Sequence, residues 1–162
     1  MKKSVLTIAL LLLAAFAVSA QKGGSTQDIG KALYNSLKDN NEGLISIYYP
    51  TLAELKIIKD AKSTKDDSTL LKFLVQGTAK KISDDWTATK NKLEADGVIW
   101  GKASTPAVSH EPFNKDNREH TAVQVMFTDG NGKQHTASVK CVNINGSWYV
   151  IESIKPHAQA VN

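Results

Sequence analysis

Between Ser25 and Gly97 apolar residues recur every three or four positions, the spacing of helices that each bury one stripe. Ser25 or Thr26 stands where it can cap a first helix, in which Ile29, Leu33 and Leu37 share a face. Asn40, Asn41 and Gly43 end it. A short apolar turn, Leu44 to Tyr49, runs into Pro50, and Thr51 then caps a second helix carrying Leu52, Leu55 and Ile58. The third helix is the longest. It starts near Asp66-Asp67-Ser68, where acidic groups suit the positive end of the helix dipole. Leu71, Leu74, Thr78, Ile82, Trp86 and Leu93 trace its buried face before Asp96-Gly97 stops it. Gly77 interrupts that face at a cost of about 1 kcal/mol relative to alanine. It predicts a kink or the close approach of another backbone.

From Val98 onward the period drops to two. Ala103–Phe113, Glu119–Thr128, Gln134–Ile144 and Ser147–Ile154 read as four strands. Asp129-Gly130-Asn131-Gly132 and Asn145-Gly146 are strong turn sequences, because these residues accept the positive φ of tight hairpins. The result is an antiparallel meander. Centring the second hairpin on Asn131 pairs Val125 with Ala137, Val123 with Val139 and Thr121 with Cys141, on the face that also carries Phe127. A two-residue turn at Asn145-Gly146 pairs Val142 with Tyr149 and Lys140 with Ile151. Those residues, with Ile144, fall on the opposite face, so the sheet is predicted to be apolar on both faces near its C-terminal end.

The chain opens with Lys2 and Lys3, an apolar run from Val5 to Val18, and Val18-Ser19-Ala20. This is the pattern of a cleavable secretory leader over residues 1–20, with the cut between Ala20 and Gln21. A membrane anchor would need roughly 20 apolar residues, more than the run provides. No cysteine lies near the cut, so no lipid anchor is expected either. The remaining residues, 21–162, match one domain in the periplasm or outside the cell. Without the leader, 18 basic residues face 16 acidic ones, scattered rather than clustered. A nucleic-acid surface would need a basic footprint, so none is expected. Cys141 is the only cysteine, which excludes an internal disulfide and favours a small buried side chain over a nucleophile.

Helices followed by a meander suggest an α+β fold, with N-terminal helices packed on a curved four-stranded antiparallel sheet. At this level the chain resembles the cystatin-like, nuclear-transport-factor-2-like superfamily of cones. More narrowly, it is similar to small exported proteins of that type from Gram-negative bacteria of the Bacteroides kind. The leader, Tyr48-Tyr49-Pro50-Thr51 and the closing Asn145-Gly146-Ser147-Trp148-Tyr149-Val150-Ile151 carry the resemblance. It implies a cone mouth near Trp100 and dimerisation through the sheet face. Enzymes of the superfamily place Asp, His or Tyr in the cone, at positions that do not map onto this chain.

Candidate chemistry is sparse. If the first hairpin turns about Lys115, His110 faces His120 and Glu111 faces Glu119, residue types that hold zinc. Alternate residues point to opposite faces, however, so the two pairs do not converge on one ion, and no metal or other cofactor is expected. Glu152 falls opposite Val139 on the core face, where the favoured reading is a strand-end carboxylate reaching solvent and the alternative a buried general base. Trp100, Tyr149 and Glu152 are therefore the candidate pocket residues. Val142, Ile144, Tyr149 and Ile151 form the candidate interaction face, an apolar patch that soluble monomers avoid unless it binds something; the alternative is that the C-terminal segment or the first helix covers it. Asn145-Gly146-Ser147 also fits a glycosylation pattern, though a hairpin turn accounts for it. These features predict an exported noncatalytic module that dimerises or engages a protein or a small apolar ligand. The alternatives are a cone-pocket enzyme of the cyclase, isomerase or dehydratase type, and an inhibitor or immunity protein.

Overall fold

In the computed structural model, residues 23–58 and 68–157 are described; the expected leader and its cleavage point lie outside them. The helices are α1 (Thr26–Lys38), α2 (Gly43–Ser46), α3 (Leu52–Ile58) and α4 (Ser68–Ala95). A 3₁₀ turn, Trp100–Lys102, leads into β1 (Ala107–Phe113), β2 (His120–Thr128), β3 (Gln134–Ile144) and β4 (Ser147–His157). The strands form one antiparallel sheet in sequence order. The α+β class and the four-stranded meander follow the sequence pattern. The additional helix, α2, occupies what the sequence suggested was an apolar turn.

Local chemistry explains the helix limits. Ser25 caps α1 in a reciprocal box: the Asp28 N–H donates to Ser25 Oγ at 3.1 Å, and the Ser25 N–H donates to Asp28 Oδ2 at 3.2 Å. Ile29, Leu33 and Leu37 are buried on one face as the spacing predicts. In α4 the buried residues include Ile82, Trp86, Thr89 and Leu93. Gly77 corrects the expectation of a kink or close approach. The helix runs unbroken through it, and a Cβ added there would meet nothing within 4 Å. Gly77→Ala is therefore expected to raise stability by up to about 1 kcal/mol through helix propensity alone. A thermal melt checks this, with a midpoint about 2–4 °C higher.

The inner face of the sheet carries the main core. Val123, Val125, Phe127, Ala137, Val139, Cys141, Val150 and Ile154 pack there with Leu33 and Leu37 of α1 and with Ile82, Trp86 and Leu93 of α4. The pairs Thr121–Cys141, Val123–Val139, Val125–Ala137 and Val142–Tyr149 hold the register read from the turns.

Three registers depart from the expected ones. First, β1 begins at Ala107 rather than Ala103: residues 103–106 form an irregular link after the 3₁₀ turn, tied to β2 by the Ser104 N–H donating to the Thr128 carbonyl at 2.8 Å. Second, the first hairpin closes over a longer loop, so Phe113 pairs with His120, Glu111 with Ala122 and His110 with Val123. His110 and His120 thus lie on opposite faces and do not meet. Asp116 reshapes this loop, accepting from the Arg118 N–H at 2.8 Å and contacting His120 Nε2 at 3.0 Å. Third, β4 bulges after Val150, so that Lys140 pairs with Glu152 rather than Ile151. Ser153 takes a φ of 40°, and the two register shifts turn Glu152 outward while Ile154 returns to the core.

The outer face holds a second cluster, Val142, Ile144 and Tyr149, packed with Ile58 and Ile151. The short helix α3 roofs it: Ile58 contributes to the cluster, the Tyr149 hydroxyl donates to Glu54 Oε1 at 3.5 Å, and Arg118 Nη2 donates to the Ile57 carbonyl at 2.6 Å. At the β4 edge, Gly24 and Trp148 exchange two backbone hydrogen bonds, of 3.2 and 3.0 Å, and the Val150 N–H donates to the Tyr48 carbonyl at 2.9 Å.

Candidate functional site

Trp100, Tyr149 and Glu152 lie in three separate places. Trp100 is half-buried in an aromatic stack. Its ring lies on Phe127 at 5.1 Å between centroids, Tyr34 meets it edge-on at 6.3 Å, and the Lys90 ammonium sits over it at 5.0 Å. Lys90 is itself buried and pairs with Glu94 at 2.5 Å. This arrangement makes Trp100 a wall of the core and leaves its indole N–H buried without a partner among the described residues. Tyr149 belongs to the outer cluster beneath α3. Glu152 faces Lys115 and Lys140, and its hydrogen bond to Lys115 holds the carboxyl below its usual range. The bulge thus corrects the core-face position expected for Glu152: it is an ion-paired strand carboxylate on the outer face, not a buried general base.

Val142, Ile144, Tyr149 and Ile151 do come together, as expected, but as packing. Val142, Ile144 and Tyr149 are buried, so the chain's own α3 covers the face that the sequence offered to a partner. Cys141 is fully buried on the inner face, and burial pushes its thiol well above the usual cysteine range. That favours the protonated form, a poor nucleophile.

Sequence reading missed two aspartate–histidine pairs, one in each of the first two hairpins. Asp129 Oδ2 contacts His135 Nε2 at 3.0 Å, with both side chains buried. Asp129 Oδ1 accepts from the backbone N–H groups of Asn131 at 2.8 Å and Lys133 at 3.0 Å. Burial raises the Asp129 pKa, yet the His135 contact and the two N–H groups outweigh it and leave the carboxyl below its usual range. In the other hairpin Asp116 is likewise lowered, chiefly by its bond to His120. Each aspartate spends its acceptors on its own loop, so these pairs are turn locks. The available signal is an aspartate in the connecting loop with a histidine at or next to the start of the following strand, a pattern that also reads as an ordinary turn.

Both carboxyl groups carry folded-state pKa values below their unfolded ones. Their contribution is therefore present above the unfolded carboxylate range, near pH 4, and is lost as pH falls through the lower folded values. Urea midpoints measured across pH 2–5 are expected to drop on acidification, with a shallower drop in Asp129→Asn.

Among the described residues, clefts open on the helical side in two places. One, about 380 Å³, lies between the α2–α3 corner and α4. Its walls are Tyr49, Pro50, Leu52, Val75 and Ala79, with Ser46, Thr51 and Gln76 at the rim. Tyr49 is held in place: its hydroxyl donates to Glu42 Oε1 at 3.0 Å, and Ser83 Oγ donates to Glu42 Oε2 at 2.8 Å, tying the start of α2 to α4. Burial first, and Glu42 second, keep the Tyr49 hydroxyl protonated far above its usual range. Thr51 and Glu54 satisfy each other at the start of α3, the Thr51 N–H donating to Glu54 Oε2 at 2.8 Å. The groove therefore presents a largely apolar wall in which Ser46, Tyr49 and Thr51 are already hydrogen-bonded. The second cleft, about 250 Å³ between α1 and α2, is shallower and polar, with Asp28, Lys31, Asn35 and Tyr48 around it.

Among the described residues, no group of three or more His, Cys, Asp or Glu side chains is placed to hold a metal ion. No helix among them is long and apolar enough to cross a membrane. No family model, curated protein or solved structure matches this chain.

Proposed function

We propose that this chain is an exported binding module with no chemistry of its own, and that the α2–α4 groove takes a small apolar ligand. Export rests on the pattern of Met1 to Ala20. The observation that carries the binding reading is the groove itself, an open concavity with largely apolar walls in which Tyr49 is fixed by its bond to Glu42. The cystatin-like, nuclear-transport-factor-2-like resemblance is compatible with such a module. It stays part of this proposal, as does the finer cone geometry. The cone-pocket enzyme alternative draws no support from Trp100, Tyr149 and Glu152, which do not share a cavity. Pairing of two copies through Val142, Ile144, Tyr149 and Ile151 would require α3 to leave the outer face.

The test is a titration of residues 21–162 with an uncharged naphthylamine dye whose emission rises in apolar surroundings. Saturable binding is expected, and Ala79→Trp, which fills the groove from α4, is expected to abolish it while the fold is retained by circular dichroism. Absence of saturable binding, or binding untouched by Ala79→Trp, would overturn the reading.

A further inference from the structure

The β3–β4 connection is the two-residue turn Asn145-Gly146, and both residues hold positive φ, 53° and 85°. This is the type I′ hairpin that the pair favours. Both residues are exposed. The same pair is chemically labile, because glycine offers no side chain to shield its backbone nitrogen from the neighbouring carboxamide. In this turn the nitrogen is engaged: the Gly146 N–H donates to Asn143 Oδ1 at 2.9 Å. Asn143 is fixed in turn, its Nδ2 donating to Glu119 Oε2 at 2.9 Å and its backbone N–H to the Glu119 carbonyl at 2.9 Å.

We propose that Asn145 is a site of spontaneous deamidation and that Asn143 sets its rate by holding the attacking nitrogen. In the reaction the Gly146 nitrogen loses its proton and bonds to Asn145 Cγ. The Cγ–Nδ2 bond breaks and the nitrogen departs as ammonia. The resulting succinimide takes up one water and opens to aspartate or isoaspartate. No oxidant, reductant or cofactor enters. Attack requires the bond from Gly146 to Asn143 to open first, so the rate follows the local opening of this turn. The isoaspartate product lengthens the backbone inside a two-residue turn, next to the Ile144–Ser147 pair and two residues from the bridge to Gly24. The modification thus acts on the seam between β3, β4 and the segment preceding α1.

Ageing the folded chain at mildly alkaline pH, followed by peptide mass spectrometry with isoaspartate-specific methyl transfer, measures the rate. The folded wild type is expected to react measurably at Asn145, but many-fold more slowly than the same chain in urea. Asn143→Ala is expected to raise the folded rate about three- to tenfold, the effect of losing one hydrogen bond. The double variant Asn143→Asp with Glu119→Gln keeps the acceptor oxygen for Gly146 and a donor–acceptor pair between positions 143 and 119, and is expected to stay within about twofold of wild type. Thermal melts establish that both variants are folded. The proposal is overturned if the folded wild type gives no product at Asn145, or reacts as fast as the chain in urea. It also fails if Asn143→Ala matches wild type, or if the double variant Asn143→Asp with Glu119→Gln reacts as fast as Asn143→Ala.

Discussion

Replacing Trp86 by alanine is expected to remove about 3–5 kcal/mol of folding stability. The indole is 8% exposed, in the layer where α4 meets α1 and the sheet. Its Nε1–H donates to Ser36 Oγ at 3.0 Å, and that hydroxyl donates to the Leu33 carbonyl at 2.8 Å. Truncation would open a large void and leave one acceptor site of the buried Ser36 hydroxyl unused. Domains of this size have roughly 5–15 kcal/mol in total, so this one change takes a substantial share. Trp86→Phe, which keeps most of the volume and loses the N–H, is expected to cost less, about 1–3 kcal/mol. Urea unfolding distinguishes the two, with the midpoint shifting and the slope unchanged. A loss below about 1 kcal/mol for Trp86→Ala would mean that α1 and α4 close over the gap without strain.

Gly30→Ala is the second large expected effect, and its sign is opposite to that of Gly77→Ala. Both glycines sit inside helices, where alanine gains up to about 1 kcal/mol from propensity. At Gly30 a Cβ would lie 2.4 Å from Val108 Cγ1, 2.8 Å from Cγ2 and 3.2 Å from Cβ. Val108 is short and β-branched, so it has no flexible end to swing away. Either α1 lifts from β1 or the edge strand shifts, at about 1–3 kcal/mol for overpacking. The net result is a loss, and Val108→Ala is expected to restore much of it. A double-mutant cycle on thermal or urea midpoints checks the coupling. Additive losses would show that the clash with Val108 is not the cause.

The parts of this fold legible in the sequence are those set by local chemistry. The spacing of Ile29, Leu33 and Leu37, the Ser25 cap and the Asp129–Gly132 and Asn145-Gly146 turns each specify structure within a few residues. The β2–β3 register follows from them. What stayed hidden depends on partners distant in the chain. Nothing in Glu152-Ser153 announces a bulge, because serine has no preference for the left-handed region, so the sequence placed Glu152 on the wrong face. Trp100 follows a helix stop, near the cone mouth that the resemblance implies, yet its position is set by Phe127, Tyr34 and Lys90. The outer apolar face was legible. Its cover was not, since α3 is short and its docking depends on Arg118, in a loop 61 residues farther along the chain. The groove joins Tyr49, Pro50 and Leu52 to Val75 and Ala79, residues whose helical pattern alone marks them as packing positions.

The bridge between Gly24 and Trp148 has a consequence for the order of folding. It joins residues at opposite ends of the described chain, and the nearby bond from Val150 to Tyr48 repeats that span. Contacts this distant require loop-closure entropy to be overcome before they contribute. The β3–β4 hairpin, closed by two residues, can form early, whereas its outer rim completes only when the segment ahead of α1 returns to it. A chain still being threaded, with β4 yet to emerge, would therefore hold Gly24 and Tyr48 without their partners. In that sense the final strand acts as the clasp on the first helix.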